Sequence, residues 1–514
     1  MKNTLLKRIL VALLASVMLG SSLIGCQNVT ESDPETETES ETVDRSEAAE
    51  TVEDIDYQAM TFIEKIRSSN AAISDDLPEY NGEGRTFIIG GMGPAGTSYI
   101  DEDGITGEPI NDARYNQMLA VSDRFDMEIE LQTYTDPDYS ISLSDFKKLV
   151  LAGDPSAMDL FQTWNTSAAE LVSEGSFHEL SSLANIDLSK PWYFKDEILD
   201  YGYDGKYWMT TGFMCADSVI NGMGCIFFNK EIIDTYNITE NYYQVVRDGK
   251  WTIDYFYDQV NGMYTDLNGD GERDSNDLYG LYFSIYAPSQ WILACLGVPQ
   301  MYLEDGEPKI TVFEKTEQAE AIWNKLKQIY LDPSQTQKSW DESTGMINAW
   351  PKNRALFYTG VVGNASGMRD YEFDTGILPI FKADEAQKDY YTSYLPSPFA
   401  IPTFVREPEI SALVMTAMAA EGFKSIVPVA YEQVIKRKLA DDYESGEMLD
   451  LMLQNVRGDT MFAYGNSRYI FNLMFYLNDD RAQFSSYWAS KKSEVTSDMN
   501  KLLKKYQKLA DNAD

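Results

Sequence analysis

The sequence predicts an α/β protein of two lobes, each a mainly parallel sheet flanked by helices. Three observations predict it. Behind an acidic N-terminal run, the 514-residue chain is long enough for two cores, and its 44% hydrophobic content is ordinary for a soluble globule. Strand and helix signals also alternate along it. Thr86-Phe87-Ile88-Ile89 reads as a buried strand ending in Gly90-Gly91-Met92-Gly93-Pro94, and Asn111 to Phe125 has helical spacing with Met118, Leu119 and Val121 apolar. A second strand follows at Met127 to Leu131, a helix at Asp145 to Leu151, and a strand at Met158 to Phe161 that runs into Gln162-Thr163-Trp164-Asn165. Ligands of such sheets collect beyond the carboxyl ends of the strands, which nominates Gly91, Met92, Trp164 and Asn165.

The second lobe starts after Tyr207-Trp208-Met209. Gly224 to Phe228 reads as a strand, Lys230 to Tyr236 as a short helix, Ile253 to Tyr264 as a longer helix opened by Trp251-Thr252, and Leu281 to Ile285 as a strand. Glu317 to Tyr330 is amphipathic, with Ala319, Ile322, Trp323, Leu326 and Ile329 on one face. The last third reads as helices at Glu409 to Ala420, Val427 to Lys438, Glu447 to Gln454 and Ser485 to Leu509.

The N-terminus carries an address. Lys2, Lys7 and Arg8 precede an apolar stretch from Ile9 to Ile24 that is short for a membrane span and ends at Leu23-Ile24-Gly25-Cys26. This resembles a bacterial lipoprotein signal, which implies cleavage after residue 25 and acylation of Cys26 as the mature N-terminus. A plain cleaved signal with a coincidental cysteine is the competing reading. Gln27 to Asp56 is rich in Thr, Glu, Ser and Asp, with Arg45 its only base, and buries too little apolar area to offset its ordering entropy. It reads as a tether extended by like-charge repulsion.

Composition narrows the function. A net charge of −40 leaves no basic surface for phosphates beyond the small gathering of Lys501, Lys504, Lys505 and Lys508, so nucleic acid is excluded as a partner. Of 4 cysteines, Cys26 is assigned to lipid, and Cys215, Cys225 and Cys295 are too few for a complete disulfide framework. Cys215 and Cys225 either pair across neighbouring strands or are buried as small apolar residues. The single histidine, His178, leaves little room for triad or zinc chemistry.

The sharpest local motif runs from Asp266 to Asp277. Asp266, Asn268, Asp270, the Glu272 carbonyl and Asp277 fall at positions 1, 3, 5, 7 and 12 of a calcium loop, with Gly271 at the turn and Asp274 at position 9. The last position is Asp, not the Glu of an EF-hand, and in this the loop resembles those of dockerin modules. A structural calcium ion is expected here; a metal-free acidic turn is the alternative.

Several segments in order carry a broader resemblance: Gly153-Asp154-Pro155-Ser156-Ala157-Met158-Asp159, Gly205-Lys206-Tyr207 followed by Phe227-Phe228-Asn229-Lys230, Trp251-Thr252-Ile253-Asp254, the acidic loop running into Leu278-Tyr279-Gly280, Asp374 to Pro379, and Pro428 to Asp450. Taken together the chain resembles extracellular solute-binding lipoproteins of ABC importers, maltose-binding-protein-like and of the Gram-positive type. The resemblance implies a type II periplasmic-binding-protein-like fold. Residues 26–80 would be tether and leading helix, 81–216 and 391–440 the first lobe, and 222–378 and 441–514 the second, with hinges near 214–221 and 379–395. It further implies a monomer at the outer face of the cytoplasmic membrane, held by its lipid anchor beside the transmembrane subunits of an ABC permease.

By the same resemblance the cleft is lined by Trp164, by Tyr286, Gln290 and Trp291 after a second-lobe strand, by Gly360 to Asn364, and at the crossings by Asp217 and Tyr394. Aromatic faces and amides suit an oligosaccharide, though each ring could equally be core. A peptide or other solute is the second reading. The third is an extracellular carbohydrate-active enzyme using Asp217 and Glu231 as acid and base.

Overall fold

Phe87, Ile89, Leu160 and Phe161 are buried, and strands as apolar as these need a partner on either side. The computed structural model describes residues 60–69, 73–92, 104–132, 141–163, 165–194, 202–215, 220–284, 292–304, 307–339, 349–394, 397–431, 443–464 and 484–513. Its main strands are β1 (Arg85–Gly91), β2 (Met127–Leu131), β3 (Leu160–Gln162), β4 (Gly224–Asn229), β5 (Tyr279–Ser284), β6 (Thr336–Ser339), β7 (Ala355–Val361), β8 (Thr375–Leu378) and β9 (Phe399–Ala400).

The first-lobe sheet has the order β9-β3-β1-β2. β1 runs parallel to β2 and β3, and only β9, the returning strand, is antiparallel. The helix between β1 and β2, Pro109–Phe125, starts on a proline and ends at Asp126 with φ of 49°. The next, Leu143–Ala152, is capped by Ser142, which accepts the Asp145 amide, and stops at Gly153 with φ of 65°. From it Phe146 stacks on Phe161 with ring centroids 3.8 Å apart, fixing that helix on the sheet.

The second sheet, of order β6-β5-β7-β4-β8, is mixed. β6, β5 and β7 are parallel, while β4 is antiparallel to both β7 and β8. Asn229 closes β4 and caps the helix Lys230–Thr235 through the Ile232 amide, and Thr252 likewise opens Ile253–Val260. Trp251 anchors one face, edge-on to Phe256 at 5.5 Å, and its indole N–H donates to the Pro379 carbonyl at 3.0 Å. The bond holds the start of the second crossing against the second-lobe core.

Two helical segments differ from expectation. Residues 408–431 form one continuous helix through a π-turn at Gly422–Ile426, where the sequence predicts two separate helices. Gly422 keeps right-handed helical geometry, so it does not stop the helix; its missing side chain admits a neighbouring backbone. This helix is apolar enough to cross a membrane, but 78% of its apolar window is buried, as befits the first lobe's core helix. The C-terminal helix Phe484–Ala513 was expected in the second lobe and packs on both. Phe484 meets Trp323 at 5.5 Å in the second lobe, and Tyr506 meets Trp208 at 5.9 Å in the first.

The cysteine alternatives resolve toward burial for two of them: Cys225 and Cys295 are free and buried. His178 is structural, its Nε2 lying 3.1 Å from the Val405 carbonyl.

A β-carbon on Gly422 would lie 1.9 Å from the Phe213 carbonyl oxygen and 2.8 Å from Gln117 Nε2. Replacing Gly422→Ala should therefore destabilise the protein by about 1–3 kcal/mol, an overpacking cost that outweighs any gain in helix propensity. Urea unfolding of variant and parent measures it.

Candidate functional site

The carboxyl edge of the first sheet is built by backbone pairing. Gly91 lies opposite Gln162, the Met92 amide donates to the Gln162 carbonyl at 3.0 Å, and the Ile141 amide donates to Gly91 at 3.0 Å. The Thr163 amide then donates to the Pro398 carbonyl at 3.0 Å, and the Gln162 side-chain amide to the Ser397 carbonyl at 3.2 Å. Gln162 Oε1 is buried without a partner among the described residues. An acceptor left bare at a strand end costs free energy unless a donor arrives, which makes Gln162 a candidate the sequence did not single out. The only signal was its place one residue before the nominated loop.

At the second sheet's edge, β7 ends beside the start of β4, with Gly360 opposite Cys225. The Val362 amide donates to the Met223 carbonyl at 2.9 Å, carrying the chain across to the first crossing. Asn364 closes the turn: its Oδ1 accepts the Val361 amide at 2.8 Å and the Tyr358 hydroxyl at 3.2 Å. Gly360 must be small, because a β-carbon there would lie 2.6 Å from Asn364 Oδ1. Gly360 and Asn364 are thus brought together, as an internally satisfied turn. Beneath it Tyr358 packs against Phe227 at 5.9 Å and against Tyr282 and Trp350 at 5.4 Å each, an aromatic floor for this edge.

Gly91 and Met92 lie buried at the first edge, Asn165 begins the helix Asn165–Ser173 beside it, and Tyr394 is buried next to the short strand Thr392–Ser393 of the second crossing. Trp164, Asp217, Tyr286, Gln290, Trp291 and the acylation position Cys26 lie outside the described residues. Glu231, the enzyme reading's second carboxylate, is exposed in the first turn of its helix.

The acidic loop bonds to itself. Asp266 accepts the Gly269 and Gly271 amides at 2.6 and 2.9 Å, Asn268 the Asp270 amide at 3.1 Å, Asp270 the Glu272 amide at 2.8 Å, and Asp274 the Asn276 amide at 2.7 Å. Asp277 is fully buried and accepts from the Leu267 amide at 3.2 Å and the Tyr264 hydroxyl at 3.0 Å. Among the described residues no three carboxylate, imidazole or thiol groups converge at metal-binding reach. The donor set is all oxygen, which suits a hard cation.

A groove of about 690 Å³ opens elsewhere, between the hairpins at 202–207 and 301–310 and the C-terminal helix. Tyr203, Lys309, Phe313, Met499 and Gln507 line it, and none of the strand-edge residues does.

A three-strand parallel core with an antiparallel return, and a mixed sheet joined to it by two or more crossings, make a two-lobed periplasmic-binding-protein-like fold. The structure is similar to the ABC substrate-binding protein Lmo0181 from Listeria monocytogenes in complex with cycloalternan, at 13% identity and a TM-score of 0.53, over 81% of this chain and 99% of that one. It is also similar to UgpB from Mycobacterium tuberculosis in complex with glycerophosphocholine, at 12% identity and a TM-score of 0.51, over 81% and 98%. No protein-family model matches the sequence, and no curated protein matches it.

One buried charge sits where the lobes' connections meet. Asp459 is fully buried and accepts the amides of Gln300 at 2.7 Å, Met301 at 3.1 Å and Met461 at 3.0 Å. Burial pushes its carboxyl up to about 6, against the three amides that favour the anion. The folded pKa then exceeds the unfolded one, the folded state binds more protons between roughly pH 4 and 6, and this stability is lost as pH rises through about 6. Unfolding free energies at pH 5 and pH 7.5 should differ in favour of pH 5 by about 1 kcal/mol from this group. The Asp459→Asn variant should lose that part of the pH dependence.

Proposed function

We propose that the protein is a cell-surface receptor of an ABC importer, capturing a carbohydrate, specifically an oligosaccharide, between its lobes and delivering it to the membrane permease. The observation that carries this is the pair of sheet edges. One ends at Gln162, whose buried Oε1 has no partner among the described residues, and the other carries a turn packed over the buried rings of Tyr358, Tyr282 and Trp350. Amide acceptors for hydroxyls and aromatic planes for sugar C–H faces are what a neutral polyol requires. The fold is shared with a protein whose complex holds cycloalternan. A non-sugar solute is the second reading, favoured by the glycerophosphocholine complex on the same fold.

The receptor acts as a binder; Glu231, one carboxylate of the enzyme reading, stands exposed in the first turn of its helix. Lipid on Cys26 holds the monomer outside the cytoplasmic membrane, and the acidic segment 27–56 gives it reach, keeping the effective concentration at the permease high. Calcium supports the second lobe. Asp266, Asn268, Asp270, the Glu272 carbonyl, Asp274 and Asp277 would hold it, and the ion would offset the repulsion among the loop's carboxylates.

Titrating the protein with a panel of plant and host oligosaccharides should give saturable heat with at least one, and chromatography should recover that sugar unchanged. Released product would replace the receptor with an enzyme. Saturation by glycerophosphocholine, with every sugar silent, would move the assignment to the second reading.

Calcium is tested separately. Chelator should lower the melting temperature by several degrees and added calcium restore it, in line with a ligand that binds only the folded state. Asp270→Ala should abolish the response; a melting temperature indifferent to chelator would leave the loop as an acidic turn.

A further inference from the structure

We propose that the short helix Phe62–Ser68 is an interlobe strap, and that Arg67 on it is a positioning residue setting the balance between lobe arrangements. Its first turn belongs to the first lobe. Phe62, Ile63 and Ile66 are buried, and the Phe62 ring stands edge-on to Phe194 at 5.4 Å and stacks on Phe213 at 6.0 Å. A helix of seven residues is too short to persist alone. A capping box supports it: the Thr61 amide donates to Glu64 Oε2 at 2.8 Å, and the Glu64 amide to Thr61 Oγ1 at 3.4 Å.

Its last turn reaches the second lobe. Arg67 Nη2 donates to Asp450 Oδ2 at 2.9 Å, while Asp450 Oδ1 accepts the hydroxyl of Tyr431. Tyr431 ends the first lobe's core helix. Asp450 lies on the helix Tyr443–Gln454, which is tied to the second lobe where Ser445 Oγ accepts the Ile377 amide at 3.2 Å and meets the Tyr243 hydroxyl at 2.8 Å. Tyr431 and Asp450 thus belong to different lobes, and Arg67 joins them from a third segment.

Rotation of one lobe against the other must carry this contact along or break it. The Arg67 and Asp450 side chains are 50% and 25% exposed, so the pair is strong enough to bias an equilibrium and too weak to lock it. The strap acts whatever solute fills the cleft. Its test therefore needs no ligand, and its failure leaves the receptor assignment standing.

Fluorophores introduced as non-natural amino acids at positions 151 and 236, exposed sites in the first and second lobes, report the interlobe distance by single-molecule energy transfer. In the unliganded protein Arg67→Ala should change the ratio of lobe arrangements by about two- to fivefold, the range of an exposed ion pair. Asp450→Ala should move it in the same direction, and Arg67→Lys should restore most of the parental distribution. Superimposable distributions for parent, Arg67→Ala and Asp450→Ala would overturn the proposal, even if the variants melt at lower temperature, because lost packing alone lowers stability without moving the lobes.

Discussion

The close approach of Phe213 to Gly422 is the contact on which the arrangement of the first lobe depends. Phe213 begins the turn by which the chain starts toward the second lobe, and its carbonyl fits against the core helix only because residue 422 has no side chain. Around its ring stand Phe194 at 4.4 Å, Phe423 at 5.3 Å and Phe62 at 6.0 Å, drawn from three other segments. Its amide donates to the Trp192 carbonyl at 2.9 Å. Gln117 reinforces the site from the helix behind β1, donating to the Met214 and Met418 carbonyls at 3.3 and 2.6 Å. The first crossing thus leaves from a point fixed on every side, and any motion of the lobes has to occur beyond it.

A second junction binds the C-terminal chain to both lobes. Val456–Arg457 pairs with Thr392–Ser393 of the second crossing, Asp459 takes the amides of Gln300 and Met301 from the second lobe, and the Tyr464 hydroxyl donates to the Gly202 carbonyl in the first. A buried carboxylate with three amide donors and no cation is costly in desolvation, and its hydrogen bonds repay that only while all three amides stay in place. The junction therefore favours one geometry of the hairpin at 301–310. The C-terminal helix adds aromatic anchors at each end, Phe484 on Trp323 and Tyr506 on Trp208, so the two lobes share a wall as well as crossings.

Strands with a strong apolar pattern were legible because nothing about them depends on a distant partner. β1 and β4 read as apolar runs, β2 alternates buried Met127 and Ile129 with exposed Glu128 and Glu130, and all three formed within one or two residues of their expected bounds. β6, with the sequence Thr-Gln-Lys-Ser, carries no such signal; it is a strand because β5 offers its free edge, as registered by Thr336 against Leu281. The continuity of the helix 408–431 was hidden for a similar reason: what fits against Gly422 is the Phe213 carbonyl, more than two hundred residues away. At the site the sequence supplied residue types after strand ends but not their local bonds. Asn364, expected at the cleft, has its oxygen accepting from Val361 and Tyr358, while Gln162, placed just after the strand and not singled out, has its own unpartnered among the described residues.

That contrast between Asn364 and Gln162 bears on how a ligand is recognised. A side chain already satisfied by its own turn gains little by exchanging those bonds for bonds to a solute, so Asn364 shapes the second edge instead of reading the ligand. Among the described residues Gln162 is held by its amide end, on Ser397, and its acceptor is unpartnered. A hydroxyl donated there replaces no existing protein bond, and the carbonyl direction is fixed before the ligand arrives. Preorganisation of this kind favours a solute rich in donors at set spacing and works against an apolar one, whose arrival would leave the acceptor bare in a drier site. The second edge is underlaid by the buried rings of Tyr358, Tyr282 and Trp350, which fix the position of its turn. On the proposed reading, a polyol would meet both requirements with one molecule, and closure of the lobes would gain from each edge only when the same ligand touched both.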